Sequence, residues 1–394
     1  MAARHDQGRV LHTYTFRAKL TLPQRDQARP RPGTPSRRLS AGEDERPGQA
    51  REQQQGQWIV NGNTTSKASL HALLHGLAEG REPAHAYHPD ARWQGMHPIG
   101  TLEGVGAISR FWRALRGAFP DMERRDLIFV GGDNHDDPRK PGWRAPHLVA
   151  ALGHYQATFA ADYLGIPATG GVVHLRYAEA HWLDGGKIRH SRVMIDLLDL
   201  MRQAGVWPLP PSLGTEGTWP GPASLDGVRL TDEPPRPGAS ALETIFAMHR
   251  ALLSFDGKSL DSMPHGQYWT DNFMYYAAAG IGMTRGLQGF RAHHQIPFLK
   301  AFPDRIAEGH FIRISDGDYA VTGGNVMGTH RDTYMGMPAT GRRISVPVMD
   351  FYRLDGDRIA ENWLPMDVLG MAAQMGNDLL ARLRHLTGHP VTSL

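Results

Sequence analysis

The sequence predicts an α+β protein built from two tandem cone-shaped barrels, in each of which a curved antiparallel sheet wraps around N-terminal helices. An internal repeat is the first observation behind this prediction. A shift of 171 positions aligns residues 157–205 with residues 328–376 without a gap, and 15 of the 49 aligned residues are identical. The second observation is the order of the segments, because helical patterns precede long alternating strands in both copies. Two copies of about 140 residues indicate duplicated domains rather than a solenoid.

Composition divides the chain into four segments. Residues 1–57 form a basic tail, rich in Arg, Pro and Gln and without periodicity, which predicts disorder. Residues 58–204 are the first domain and residues 241–394 the second. Between them, residues 205–240 contain eight prolines, and this composition predicts a semi-rigid, extended linker.

Apolar periodicity predicts a matching series of elements in the two domains. In the first domain we expect helices over 66–79 and 105–119, strands over 147–160, 172–183 and 187–194, and a last helix from residue 196. In the second we expect helices over 242–253 and 289–302, strands over 268–276, 310–314, 319–330, 342–354 and 358–364, and a helix over 367–386. The first copy also carries about a dozen extra residues that include 131–138, and their Gly and Pro content predicts a solvated loop rather than a metal site.

Charge and composition exclude several classes of protein. The chain has no cysteine, so disulfides and thiolate chemistry are excluded. Its pI of about 9.1 is a property of residues 1–57, which hold 11 basic and 6 acidic residues. The remainder is close to neutral and predicts no nucleic-acid surface. There is no run of 18 apolar residues, so we expect no membrane span and a cytoplasmic protein.

A carboxylate interrupts the apolar face of the predicted strand 342–354. The residues that alternate with the polar positions are Ile344, Val346, Val348, Asp350, Tyr352 and Leu354. Burying a carboxylate costs several kcal/mol unless it is paired, protonated or at a cavity, and desolvation raises its pKa. Glu179 occupies the same inward position in the first copy. A proton-transfer role near neutral pH is therefore a hypothesis for Asp350.

Several motifs of the second copy together resemble a known family. They are Ala301-Phe-Pro-Asp304, Gly328-Thr-His330, Gly336-Met-Pro-Ala-Thr-Gly341, Asp350, Gly356-Asp-Arg-Ile359 and Glu361-Asn-Trp363. Each copy resembles a SnoaL-like polyketide cyclase domain of the nuclear transport factor 2-like superfamily, over about residues 66–204 and 241–385. The superfamily contains enzymes and non-enzymes, so the resemblance is more specific for fold than for activity.

The resemblance implies roles for two residues of the second domain. Asp350 matches the general acid/base of an aldol ring closure, and His330 would bind or polarise a substrate carbonyl beside that acid. The first domain has Phe159 in place of His330. We therefore expect the second domain to hold the better-formed site and the first to be degenerate.

Further residues are candidates for substrate binding, although aromatic residues on such strands more often belong to a core. They are Tyr275, Tyr276, Asn325, Tyr352 and Trp363 in the second domain and Trp93, His154 and Glu179 in the first. We expect no metal site and no cofactor. The expected partner is a small apolar or carbonyl-containing metabolite, with the two domains paired through their sheets and a further homodimer compatible with the fold.

Three functions remain open from the sequence. The first is a cofactor-independent, SnoaL-type acid/base enzyme that acts on a carbonyl-containing cyclic or polyketide-like compound. The second is another acid/base reaction in the same pocket, such as an isomerisation or hydrolysis. The third is a non-catalytic module that binds a ligand or a protein. Pairing of Asp350 with Arg342 or Arg353 in a filled core would favour the third, and an open pocket beside Asp350 and His330 would favour an enzyme.

Overall fold

The computed structural model describes residues 62–140, 146–231 and 240–388, so the predicted disordered tail lies outside the described residues. The predicted α+β class is confirmed, because the chain contains two six-stranded sheets, each accompanied by helices. In this described part, no helix is long and apolar enough to span a bilayer.

The two domains repeat one order of elements. The first contains α1 (Gly62–Ala78), β1 (Tyr87–Gln94), β2 (Thr101–Glu103), α2 (Gly104–Ala118), β3 (Glu123–Asp133), β4 (His147–Thr158), β5 (Val172–Asp184), β6 (Lys187–Ile195) and α3 (Leu197–Gln203). The second contains α4 (Ala241–Leu252), β7 (Trp269–Ala277), β8 (Met283–Arg285), α5 (Gly286–Phe290), α6 (Ile296–Ala301), β9 (Ile306–Asp316), β10 (Tyr319–Thr329), β11 (Arg343–Asp355), β12 (Arg358–Leu364), α7 (Val368–Gln374) and α8 (Leu379–Thr387). A π-helical turn, Arg291–Gln295, joins α5 to α6.

Each sheet has one parallel pair of strands, which differs from the predicted fully antiparallel sheet. The strand orders are β2-β1-β6-β5-β4-β3 and β8-β7-β12-β11-β10-β9. The pairs β1–β6 and β7–β12 are parallel. Their strands are separated by most of a domain, and a long connection permits parallel pairing. Strand β1, which contains Trp93, lies in a part of the first domain for which the sequence predicts no element.

The helices cover one face of each sheet, which we call the inner face. The helical spacing that predicted α2 directs Ile108, Phe111 and Leu115 into the first core. In α4 the same spacing buries Ile245 and Met248, and its start is fixed by a capping box between Ser240 and Glu243.

The opposite, outer faces of the two sheets meet in a shared apolar cluster. Its members include Ile128, Val130, Leu148, Ala150 and Ala178 from the first sheet and Tyr276, Ile312, Tyr319, Val321, Phe351 and Trp363 from the second. Because these apolar contacts occupy the outer faces, the inner faces remain available for a pocket.

The linker contacts both sheets along residues 205–231. Trp219 is 3% exposed and lies in the outer-face cluster. Its indole N–H donates to the Ala277 carbonyl at 3.3 Å, and the Trp363 indole donates to the Pro220 carbonyl at 3.2 Å. Farther along, the Phe129 N–H donates to the Gly227 carbonyl at 2.8 Å. The linker is therefore a packed part of the structure rather than only a spacer.

The extra residues of the first domain are also not the solvated loop that their composition predicts. The Asn134 side-chain amide donates to the Phe311 carbonyl at 3.0 Å and its oxygen accepts from the Arg313 N–H at 2.8 Å. Asp137 is buried and accepts from the His310 N–H at 2.8 Å. Because these partners lie on β9, the insertion is a bridge between the domains. This role depends on contacts distant in sequence, which local composition does not encode.

Removing the Trp219 side chain is expected to destabilise the pair of domains. Trp219→Ala should lower the free energy of unfolding by about 3–5 kcal/mol, since it leaves a cavity in a buried cluster. Urea denaturation followed by circular dichroism measures the change. Leu225→Ala is the matched control on the same linker, because Leu225 is 92% exposed and its loss should cost less than about 0.5 kcal/mol. Equal effects of the two substitutions would contradict a packed linker.

Candidate functional site

Asp350 lies on the wall of a cavity of about 940 Å³ between the sheet and the helices of the second domain. The alternation of β11 directs its side chain to the inner face together with Val348. Val326 of β10 and Phe298 of α6 also line this cavity. The carboxyl group that was predicted to point inward therefore faces a space large enough for a small molecule.

The surroundings of Asp350 favour its neutral form. Burial raises the pKa of Asp350 to about 7, an effect only partly offset by hydrogen bonds from Asn362 and Tyr352. The Asn362 amide donates to Asp350 Oδ1 at 3.1 Å. Within the described residues, no cation lies within ion-pairing distance of this carboxyl group, and Arg353 instead pairs with Glu361. Asp350 therefore exists in both protonation states near neutral pH.

Two histidines line the same cavity as the acid. His249 Nε2 and the Tyr352 hydroxyl are 3.2 Å apart, and the rings of His249 and His310 stack with centroids 5.3 Å apart. Burial lowers the pKa of His249 to about 3 and that of His310 to about 4. Both imidazoles are therefore neutral at pH 7 and can accept or donate a hydrogen bond in the cavity.

Strand register explains why the second domain has this cavity. β4–β5 and β10–β11 pair in the same register after the shift of 171, with Ala151 opposite Glu179 and Thr322 opposite Asp350. Large inner residues of the first domain thereby correspond to small residues of the second. The replacements are Arg124 by Ala307, Tyr155 by Val326 and Tyr177 by Val348.

In the first domain the large residues surround the corresponding acid. The Arg124 guanidinium donates to Glu179 at 3.1 Å, and the Tyr155 hydroxyl donates to it at 3.2 Å. His181 Nε2 lies 2.9 Å from the same carboxylate. Burial alone would raise the pKa of Glu179, but the charge of Arg124 and the hydrogen bond of His181 outweigh it and lower the pKa. Glu179 is thus an ionised partner in a filled core.

One group of side chains could offer ligands to a metal ion. His71, His75 and Asp126 place three ligand atoms within 4.8 Å of one another. Asp126, however, also accepts from Arg124 at 2.8 Å and from the Tyr177 hydroxyl at 2.8 Å. The positive charge of Arg124 on the same carboxylate opposes a bound cation. These contacts make the cluster a hydrogen-bonded connection between α1 and β3.

The structure does not bring His330 to Asp350, contrary to the expectation from the motif. Asp350 is opposite Thr322 in β10, and His330 follows eight residues later, about 26 Å along a straight strand. His330 is fully buried, where its ring stacks on Phe302 and Nδ1 lies 3.2 Å from the Thr340 hydroxyl. The hydrogen bond between its N–H and the Arg342 carbonyl places it at the strand end, outside the cavity wall.

Three further candidates of the second domain face away from the cavity. Tyr276 and Trp363 stack with ring centroids 5.1 Å apart in the outer-face cluster. Asn325 precedes the inward Val326 and donates to the Ser345 hydroxyl at 2.9 Å. They therefore do not line this cavity, because strand alternation directs them to the outer face.

The remaining candidates have different positions. Trp93 is buried against Phe111, with ring centroids 4.6 Å apart, and belongs to the first core. His154 precedes the inward Tyr155 and therefore points to the outer face of its sheet. Tyr275 is buried near Asp350, whose charge contributes to raising its pKa, and its hydroxyl is 3.1 Å from His294 Nε2.

The sequence interpretation missed His249, His310 and Asn362. Asn362 directly follows Glu361 in one of the family motifs, and the repeat aligns it with Ser191. A comparison of side-chain size across the repeat would have located the cavity, since Arg124, Tyr155 and Tyr177 all become small. No such signal exists for His249 and His310, because their positions depend on how α4 and β9 pack.

Two family models match the chain, one in each domain. The model described as SnoaL-like polyketide cyclase matches residues 248–375, and the model described as SnoaL-like domain matches residues 77–191. The chain is a tandem of two SnoaL-like domains. This assignment agrees with the order of elements that the two domains share.

Three solved structures that resemble the tandem SnoaL-like protein each align with about a third of the chain. IdmH from Streptomyces antibioticus, a proposed polyketide cyclase, is 25% identical, with 35% of this chain and 99% of that chain covered and a TM-score of 0.30. TsrD from Streptomyces laurentii is 22% identical, with coverages of 34% and 96% and a TM-score of 0.29. An NTF2-like protein from Burkholderia thailandensis is 16% identical, with coverages of 35% and 98% and a TM-score of 0.30. No curated protein matches the chain.

The two inward acids are expected to affect stability in opposite ways. The pKa of Asp350 in the folded protein is about 7, against an ordinary value of 3.8. The stability that protonated Asp350 contributes is therefore fully present below about pH 4 and is lost as the pH rises through 7. Asp350→Asn, which stays neutral, should therefore be more stable than the wild type at pH 8 by about 2–4 kcal/mol. Glu179→Gln should be less stable at pH 8, because Arg124 loses one of its two carboxylate partners. Urea titrations at pH 5 and pH 8 test both signs, and a destabilised Asp350→Asn at pH 8 would contradict the analysis.

Arg124 is expected to be essential for the first core. Arg124→Ala leaves Glu179 and Asp126 buried without their cation and should cost about 3–5 kcal/mol. Arg125→Ala is the matched control, because Arg125 is 54% exposed and pairs with exposed Glu123, a pair worth less than about 1 kcal/mol. Thermal or urea unfolding of the two variants compares the costs, and similar values would argue against a structural role for the buried network.

Proposed function

We propose that the second SnoaL-like domain is an acid/base enzyme that moves a proton on a carbonyl-containing cyclic or polyketide-like small molecule, with Asp350 as the proton-transfer group. One observation carries this proposal: an inward carboxyl group with a pKa of about 7 borders a cavity of about 940 Å³. A general base is most effective when its pKa lies near the working pH. The carboxyl group also has no neutralising cation among the described residues.

The reaction that fits this group is an intramolecular aldol closure. Ionised Asp350 removes a proton from the carbon next to a substrate carbonyl, so that the C–H bond breaks and an O–H bond forms on the carboxyl group. The resulting enolate carbon attacks a second carbonyl of the same molecule and forms a C–C bond. Protonated Asp350 then returns the proton to the new alkoxide. The product contains the same atoms as the substrate and is its isomer, and Asp350 is again ionised at the end of the cycle.

Neighbouring residues support this proton cycle. Asn362 donates to Asp350 Oδ1 at 3.1 Å and thereby orients the carboxyl group. Tyr352 contacts Asp350 on one side and lies 3.2 Å from His249 Nε2 on the other. Because the single proton of the Tyr352 hydroxyl is donated to Asp350, neutral His249 donates its Nε2–H to the Tyr352 oxygen and so holds the hydroxyl beside the acid. These residues are positioning groups for Asp350.

The first SnoaL-like domain is assigned a structural role in this proposal. Its Glu179 is ionised and held by Arg124 at 3.1 Å, so proton transfer would require breaking a buried ion pair. Large side chains also occupy the positions where the second domain has its cavity. This contrast supports a fused pair in which one copy supplies the pocket and the other supplies a packing partner.

A non-catalytic binding module is the second candidate. It is favoured by the position of His330, which the family motif implies to be beside the acid and which lies outside the cavity wall. In that case Asp350 would be a hydrogen-bonding group for a bound ligand rather than a proton carrier. Proton exchange on a carbonyl compound separates the two functions.

Asp350 is expected to catalyse exchange of acidic C–H protons in the cavity. With 2-tetralone in D2O as probe, the full-length protein should accelerate exchange at the carbon between the ring and the carbonyl, followed by NMR. The rate should rise with pH around 7, as the carboxylate forms. Asp350→Asn should reduce the protein-dependent rate by at least about 10²-fold, the usual contribution of a general base.

Asp355→Asn is the control for this exchange. Asp355 lies at the exposed end of the same strand and should leave the rate and its pH profile unchanged. An exchange rate that Asp350→Asn does not alter would show that the protein does not use this carboxylate as a base. Ligand binding without exchange would then favour the binding module.

A further inference from the structure

The wall of the Asp350 cavity is strongly basic, although the chain without its first 57 residues is close to neutral. Six cationic residues line the cavity, and Asp350 is the acidic residue that accompanies them. The cations are Arg139, Arg250, Lys258, Lys300, Arg305 and Arg313. Such an excess of one sign in a concave site raises the local concentration of ligands with the opposite charge.

Arg313 lies across the sheet from the acid. Thr322 of β10 pairs with Arg313 of β9 on one side and with Asp350 of β11 on the other, so the three side chains share the inner face. Two strand spacings put the Arg313 and Asp350 Cα atoms about 10 Å apart. In the first domain the position of Arg313 is occupied by Phe129, opposite Ala151. Phe129 in the core of the first domain thus corresponds to Arg313 on the cavity wall of the second.

The contacts of Arg313 hold it in this place, and the charges of Asp137 and Asp136 act on it, although no described carboxylate lies at ion-pairing distance. Its guanidinium stacks over the Phe246 ring at 4.0 Å from the centroid, and it donates to the Asp136 carbonyl. Neither partner is a carboxylate at ion-pairing distance. Arginine keeps its charge under these conditions, so a fixed positive charge faces the cavity.

Arg305 adds a second charge of the same kind. It is half-buried, and burial lowers its pKa, although an arginine remains a cation near neutral pH. In the described ranges, no carboxylate forms an ion pair with Arg305, Arg250, Lys258 or Lys300, whereas Arg139 is paired with Asp137 at 2.7 Å. A cavity that holds several cations without acidic partners is complementary to an anion.

We propose that the substrate of the Asp350 site carries an anionic oxygen group, a carboxylate or a phosphate, which binds to Arg313 while its carbonyl end lies at Asp350. This inference rests on the proposed function for the role of Asp350. The separation of about 10 Å across the sheet suits a fused-ring or chain compound with an acid at one end and a reactive carbonyl at the other.

Binding of two fluorescent probes tests the charge preference. 8-Anilino-1-naphthalenesulfonate and N-phenyl-1-naphthylamine share an aryl-amine skeleton and differ in the sulfonate. The full-length protein should bind the sulfonate at least about 10-fold more tightly at low salt, and the preference should shrink as salt screens the charges. Equal affinities for the two probes would overturn the proposal.

Substitutions then locate the anion. Arg313→Gln should weaken sulfonate binding by about 10-fold, the loss expected for a charge-assisted hydrogen bond, and leave the neutral probe unaffected. Arg313→Lys should restore part of the loss. Arg384→Gln removes the same charge from exposed α8 and is the control. An equal loss in Arg384→Gln would place the anion outside the cavity and overturn the proposal.

Competition distinguishes the sources of the anion and separates this inference from the proposed function. Displacement of the sulfonate probe by 1-naphthoate or by 1-naphthyl phosphate, more strongly than by neutral 1-acetylnaphthalene, supports a carboxylate or a phosphate respectively. No advantage of either anion over the ketone overturns the inference. Because 2-tetralone is uncharged, its exchange depends on Asp350 alone, so each of the two hypotheses can fail while the other stands.

Discussion

A carboxyl group on the buried face of a strand must be neutralised, and the two domains of this chain do so in different ways. In the first, Arg124 supplies a positive charge at 3.1 Å from Glu179. In the second, Asp350 has no such cation among the described residues, and burial moves its pKa to about 7. Desolvation favours the neutral acid where no opposite charge is present. A structural ion pair and a buried acid with a raised pKa therefore arise from one position of a duplicated fold.

This difference is accompanied by a difference in volume. The guanidinium that neutralises Glu179 and the tyrosines around it fill the inner space of the first domain. Their counterparts Ala307, Val326 and Val348 leave room in the second, and the result is the cavity of about 940 Å³. Charge neutralisation and cavity formation are therefore linked, since removal of the arginine both frees the acid and vacates the space beside it. Cationic residues then appear elsewhere on the wall, at Arg313 and Arg305.

The outer faces of the sheets place a second constraint on function. They are occupied by apolar contacts that include Trp219 of the linker, Tyr276 and Trp363, so aromatic residues on these faces stabilise the pair of domains. The insertion reinforces the same contact through Asn134 and Asp137. A small-molecule site in the second domain is consequently restricted to the inner face, between β9–β11 and the helices α4 and α6.

Strand alternation and repeat spacing are local patterns, so they were sufficient to predict the duplication, the α+β class and the inward direction of Asp350, and to favour the second domain as the one with the better-formed site. The residues that accompany Asp350 became evident from the folded structure. His330 belongs to the family motif but lies at the strand end, whereas His249 and Arg313 reach the cavity from a helix and a strand far from Asp350 in sequence. Which side chains share a cavity depends on the pairing and packing of elements distant in sequence. Periodicity and spacing in a single sequence do not predict that arrangement.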